Sequence, residues 1–163
     1  RLCYAIEDLV EEMAKEGEDR FDYIIIDCGP RLDMTTTNAI VALEAGNNAS
    51  HIIIPIKVDG FAIAGLSQTI DTINRTAKER RRLPQHWKIL QTMIERKTSA
   101  YKVGCELLKE AIPNAEYFNT KIEKSTVVPE ASLAMEPLIT YAPDSKPGMQ
   151  YRLLAQEIEE MNA

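Results

Sequence analysis

Glycine is sparse and never clustered: the seven glycines stand singly along the chain. No glycine-rich loop is therefore present to wrap backbone N–H groups around a phosphate. The three cysteines, Cys3, Cys28 and Cys105, are odd in number, far apart and form no C-x-x-C pair. That argues against a disulfide frame or a thiolate zinc site and fits reduced thiols in a cytosol. The two histidines, His51 and His86, lie far apart without ligand spacing, so no metal site of protein ligands is expected from them. No apolar run approaches the ~18 residues of a membrane span, and the N-terminus lacks the basic-then-apolar plan of a signal peptide. Basic residues are outnumbered, 19 against 25 acidic, for a net charge of −6. A dedicated nucleic-acid binder is ordinarily basic overall, so any such contact must come from a local patch.

What is present is an alternation of periods. At 163 residues the chain suits a single domain, 1–163, able to bury a real core. Apolar positions from Leu2 to Lys15 recur at helical spacing until Gly17 ends them. Tyr23 to Cys28 is a continuous apolar run, which predicts a strand covered on both faces. Thr35 to Ala45 reads as a helix closed by Gly46-Asn47-Asn48, and 51–57, "HIIIPIK", as a second buried strand in which Pro55 places a bend or an edge. A long amphipathic helix from Phe61 to Arg82 stops at Leu83-Pro84. A third strand follows over 87–94, then a helix from Thr98 to Ala111 and a fourth strand from Tyr117 to Ile122. An irregular, proline-bearing stretch precedes a last helix from Gln150 to Met161. Strands alternating with helices imply an α/β fold, a parallel sheet with helices on both faces joined by right-handed crossovers. Ligands in such folds bind at the carboxyl ends of the strands, where Asp27, Lys57 and Ile94 fall.

Asp27 is the sharpest of these. An apolar strand ending in Asp, followed by a turn with Gly29 and Pro30, is how phosphate-binding ATPases hold Mg²⁺, with the carboxylate reaching the metal through a water. Gly29 would let backbone N–H approach a γ-phosphate, and Pro30 would stiffen the turn. The plain alternative, an acid that caps the next turn or helix, fits that pattern equally well. Cys28 beside it invites a redox role, but a small buried residue of a parallel strand is the stronger reading.

The ordered blocks "DYIIIDCGP…TTTNAI", "IIIPIKVDGFAIAGLSQTIDTI", "LQTMIERKT", "VVPEASL" and "YAPDSKPGMQYRLLAQEI" resemble the ParA/Soj family of partitioning ATPases, deviant-Walker P-loop proteins related to MinD. The likeness runs from about Phe21 to the end. The family's D-x-P-P is Asp27-Cys28-Gly29-Pro30 here, Thr36 and Asn38 fall at its T-x-N, and Phe61, Gly65, Leu66 and Ser67 fall in its F-A-L-E-G-L-S segment. Thr92-Met93 matches the T-M near the nucleotide base, and Glu130-Ala131 keeps the E-A. The family's I-P-R-N is replaced by Ile122-Glu123-Lys124-Ser125, and Val127 stands where many relatives have a second arginine. Residues 46–50 read as a loop insertion.

The resemblance implies a P-loop NTPase-like fold with Asp27 ordering Mg²⁺, Gly29 and Pro30 sensing the γ-phosphate, and Thr92, Met93, Lys124 and Glu130 on the nucleotide side. It also implies a cytoplasmic, nucleoid-associated ATPase. ATP would close a homodimer, the dimer would bind DNA non-specifically, and a ParB-like partner would stimulate hydrolysis. The family's P-loop, K-G-G-x-x-x-K-[ST], is missing, and the chain opens at Arg1 directly into a helical pattern. The expectation is thus the C-terminal portion of a longer ATPase, binding ATP weakly or not at all alone. For DNA, Arg96, Lys97 and Lys102 form one candidate patch; "KERRRLPQHWK" (78–88) reads better as a solvated helix end. The alternatives are a nucleotide-free interaction or regulatory module and a MinD-like positioning protein. The acidic "YRLLAQEIEEMNA" terminus lacks the basic amphipathic helix of the latter, and no membrane contact is expected.

Overall fold

The computed structural model describes residues 2–17, 21–29, 31–43, 50–79 and 86–162. Its elements are α1 (Leu2–Glu16), α2 (Met34–Ala42), β1 (His51–Lys57), α3 (Gly60–Glu79), β2 (His86–Thr92), α4 (Ser99–Ala111), α5 (Val127–Leu133), α6 (Leu138–Tyr141) and α7 (Lys146–Asn162). They gather into two compact units, residues 1–52 with 68–86, and residues 53–67 with 87–163.

In the first unit α1 buries Cys3 and Met13 and packs with α2. Asp33 starts α2 as its N-cap, its carboxylate accepting from Thr35 N at 2.9 Å and Thr36 N at 3.3 Å. The Ala39–Ala42 turn is buried. The C-terminal part of α3 adds Ile70, Ile73 and Ala77 at helical spacing, and buried Thr72 is satisfied by donating to Gln68 O.

The run from Tyr23 to Cys28 is not a strand. It has no regular secondary structure and pairs with no strand among the described residues. Tyr23 is 52% exposed, Ile24 47% and Ile25 90%. Apolar sequence supplies the faces of a strand, whereas the ladder must come from a neighbour. Cys28, expected inside, is exposed as well. Partial burial and then the adjacent Asp27 carboxylate push its thiol pKa up, so the reactive thiolate is disfavoured.

The second unit is built on a parallel pair, β1 and β2, whose connection runs through α3. β1 alternates, with Ile54 and Ile56 buried while Ile53, Pro55 and Lys57 are exposed. The expected two-sided burial is therefore one-sided, as Pro55 on an edge strand allows. β2 is the central strand, with Ile89, Leu90 and Gln91 all buried. Beyond it, 117–123 runs parallel through the bridges Ile89↔Tyr117 and Ile94↔Glu123. Between the bonds Phe118 N to Ile89 O and Ile122 N to Gln91 O that segment advances four residues against two of β2, so Asn119 and Thr120 fall where the ladder is interrupted. Their N–H groups donate to the Glu157 carboxylate of α7 at 2.7 and 2.9 Å. Leu90, Phe118, Ile122 and Leu154 form the core under α7, with Ile158 and Met161 packed against it.

The proline-bearing stretch read as irregular contains two short helices. Pro129 sits in the first turn of α5, Pro137 is the N-cap of α6 and Pro147 lies in the first turn of α7. Proline is tolerated there because those N–H groups have no intrahelical acceptor. The same effect starts α7 at Lys146 rather than Gln150. Residues 44–49 and 80–85 lie outside the described residues. These hold the expected Gly46-Asn47-Asn48 closure and insertion, the Leu83-Pro84 stop and most of the 78–88 basic run. Of that run's described lysines, Lys78 is exposed, whereas Lys88 lies over the Phe118 ring, 5.7 Å from its centroid.

Candidate functional site

Asp27 stands exposed near the end of the 21–29 segment, and a Cβ placed on Gly29 would meet nothing within 4 Å. Packing within the chain thus does not demand glycine at 29, and the backbone there is open to approach. Pro30 lies outside the described residues. Beyond it the chain turns into α2 under the Asp33 cap, with the Thr36 hydroxyl donating to Arg31 O at 2.5 Å. An exposed hard carboxylate beside an open glycine fits one water-mediated contact to Mg²⁺, whose remaining ligands are waters and phosphate oxygens. Among the described residues no group of three His, Cys, Asp or Glu side chains could hold a metal ion.

The other expected nucleotide-side residues belong to the second unit. β2 ends at half-buried Thr92, after which exposed Met93 takes φ +52°. That left-handed conformation costs a non-glycine residue about 1 kcal/mol. It redirects the chain so that Ile94 can exchange hydrogen bonds with the next segment: Ile94 N to Ile122 O and Lys124 N to Ile94 O, each 3.1 Å. Thr92, Met93 and Lys124 are thereby brought onto adjoining segment ends. Lys124 is not a loose cation there, because its Nζ pairs with Glu95 at 2.5 Å. That contact leads the causes holding the Glu95 carboxyl below its usual range. Glu130 stands apart from these three, exposed in the first turn of α5.

Glu123 occupies the place where the resemblance expects proline, and it organises this edge. Its carboxylate accepts from Arg96 Nε at 2.8 Å and pairs with Lys146 Nζ at 2.7 Å, while its backbone N–H donates to Gln150 Oε1 at 2.9 Å. The Lys146 hydrogen bond first, and Arg96 with it, hold the Glu123 carboxyl below the ordinary range against the opposing effect of burial. Of the expected DNA-facing residues, Arg96 is consequently engaged by Glu123. Lys97 is exposed, and Lys102 is exposed on α4.

Sequence reading did not find Glu123, Lys146 or the polar chain behind α4. There buried Gln91 accepts from the Tyr101 hydroxyl at 2.7 Å, and Tyr101 in turn accepts from Lys121 Nζ at 3.3 Å. Burial first, and then neighbouring Cys105, push the Tyr101 pKa up to about 12, so the phenol remains a donor. Asp59 was missed too. It begins α3 by accepting from Ala62 N at 3.0 Å and pairs with Lys57 at 3.4 Å. An Asp directly before a helical period was the available signal.

A family model described as an AAA domain matches residues 4–86. The chain is 31% identical over 147 residues to the sporulation initiation inhibitor protein Soj of Bacillus subtilis, covering 86% of this chain and 53% of that protein. It is 27% identical to the chromosome-partitioning ATPase Soj of Treponema pallidum, covering 91% of this chain and 56% of that protein. With the chromosome partitioning protein ParA of Caulobacter vibrioides it shares 25% identity, over 97% of this chain and 56% of that protein. The chain spans about half the length of the curated relatives it matches.

Proposed function

Because the chain belongs to the AAA domain family, in its ParA/Soj branch, we propose that it is the C-terminal portion of an ATPase that segregates DNA. In this reading Asp27 orders Mg²⁺ through a water, and Gly29 and Pro30 form the turn that meets the γ-phosphate. Thr92, Met93, Lys124 and Glu130 belong to the nucleotide side. Bound Mg-ATP supplies the group transferred, and the chain's own part is to orient it and to keep a carboxylate at the metal's hydration shell. The P-loop cradle comes from residues outside this sequence, which is consistent with its covering about half of its relatives.

The observation that carries the proposal is the family match across 4–86, which spans the Asp27 segment. The exposed carboxylate and open Gly29 backbone support it. The finer steps of the proposal are an ATP-dependent homodimer, non-specific DNA contact through Arg96, Lys97 and Lys102, and stimulation by a ParB-like partner, in the cytoplasm at the nucleoid. Their support is the likeness to proteins named for chromosome partitioning. No described helix is long and apolar enough to cross a membrane. Asp27→Ala in the full-length protein is expected to abolish Mg²⁺-dependent ATP turnover while the far-ultraviolet circular dichroism is unchanged. Turnover equal to the parent would remove Asp27 from the metal.

A further inference from the structure

We propose that the cleft between α4 and the 117–123 segment is an anion site that takes phosphate groups. The cleft is open, about 470 Å³, and its polar lining includes Arg96, Lys102, Lys109 and Lys121 against a single carboxylate, Glu106. With Arg96 balanced by Glu123, three lysines remain around one acid, which in a chain of net charge −6 is a local reversal of sign that draws anions.

The neighbouring charged cluster gives the contrast. Arg96 and Lys146 are neutralised by Glu123, and Lys124 by Glu95, so that edge has little attraction left for a phosphate. Lys102, Lys109 and Lys121 form no ion pair among the described residues. Lys121 is also held in place. Its ammonium donates to the Tyr101 oxygen, whose proton is committed to Gln91, a residue only 7% exposed on the central strand. A half-buried polar chain anchored on a buried residue fixes a position. It leaves the ammonium with two further N–H donors.

Lys102 and Lys109 stand two helical turns apart on α4, a rise of about 10 Å. Three ammonium groups outside any ion pair, with the one Glu106 carboxylate among them, match a ligand with more than one negative charge, such as a pyrophosphate or successive phosphates of a nucleic-acid strand. The site shares Arg96 and Lys102 with the DNA contact proposed above, and its nucleic-acid arm rests on that reading. Its pyrophosphate arm does not.

The experiment is a nuclear magnetic resonance titration of the chain with inorganic pyrophosphate and, separately, with random-sequence duplex DNA. The parent is compared with the double variant Lys109→Gln/Lys121→Gln and with Tyr101→Phe, which keeps every charge but releases Lys121. Pyrophosphate is expected to shift the amides of 96–109 and 121. Its affinity should fall about tenfold or more in the double variant and less in Tyr101→Phe. If DNA binding falls in parallel and pyrophosphate competes with it, phosphodiesters are the natural source. If only pyrophosphate binding falls, the ligand is a free phosphoanion and DNA docks elsewhere. Absent pyrophosphate binding, or binding indifferent to the double variant, overturns the site, while the ATPase proposal is judged separately by Mg-ATP titration.

Discussion

Replacing Glu123 with glutamine keeps the shape of the side chain and removes the charge that holds Arg96 and Lys146. The carboxylate is 18% exposed, whereas its partners are 52% and 64% exposed. Fully exposed pairs contribute about 0.2–1 kcal/mol each, and buried charged hydrogen bonds about 1.5–3. The half-exposed partners place Glu123 between these limits, and the amide can still accept one bond, so Glu123→Gln should cost about 1–2 kcal/mol near neutral pH. The pH dependence follows from the lowered Glu123 pKa. A depressed carboxyl contributes its stabilisation in full above the unfolded value of about 4.3 and loses it as pH falls through the folded value. Glu95 and Glu157 are lowered too, but they are present in both proteins and cancel in the difference. Urea denaturation at about pH 7 and about pH 3 therefore should show a clear difference in midpoint at the first and a much smaller one at the second. A difference of equal size at both, or none at neutral pH, would refute the reasoning.

Met135 closes α5 in a Schellman arrangement, with Glu136 N donating to Ala131 O and Met135 N to Ser132 O, yet it holds φ +55° and is 91% exposed. Met135→Gly should therefore stabilise the chain by about 1 kcal/mol, and a lowered melting temperature would count against it. A Cβ on Gly104 would lie 2.8 Å from Val58 Cγ1 and 3.0 Å from Val58 O. Gly104→Ala should cost about 1–3 kcal/mol by urea denaturation, and an unchanged midpoint would mean that α4 moves away freely. Glu157→Ala should leave the Asn119 and Thr120 amides without their acceptor. The expected result is a loss of about 2 kcal/mol with faster hydrogen exchange at both amides, and unaltered exchange would contradict that assignment.

What the sequence made legible was whatever a single segment decides. The helical stretch from Thr98 to Ala111 announces α4, and the strand-like stretch at 87–94 announces β2. Tyr23–Cys28 failed because strand character depends on a neighbour that its own residues do not encode. The stretch that holds Pro129, Pro137 and Pro147 reads as irregular, whereas each of these prolines marks a helix start, where a missing N–H costs nothing. Around the site, Thr92-Met93 and Lys124 were found as a pattern, but the positive φ of Met93 and the Glu95 partner of Lys124 were not. Glu123 was visible only as a departure from I-P-R-N. Its grip on Arg96, 27 residues away, arises when 117–123 pairs beside β2.

The most direct test is isothermal titration of Mg-ATP into this chain and into the full-length protein, each with and without Asp27→Ala. The expected result is saturable binding by the full-length protein alone, weakened by Asp27→Ala through loss of its magnesium dependence. Binding by the present chain with comparable affinity, or full-length binding indifferent to Asp27→Ala, would contradict the assignment of Asp27 to a shared nucleotide site.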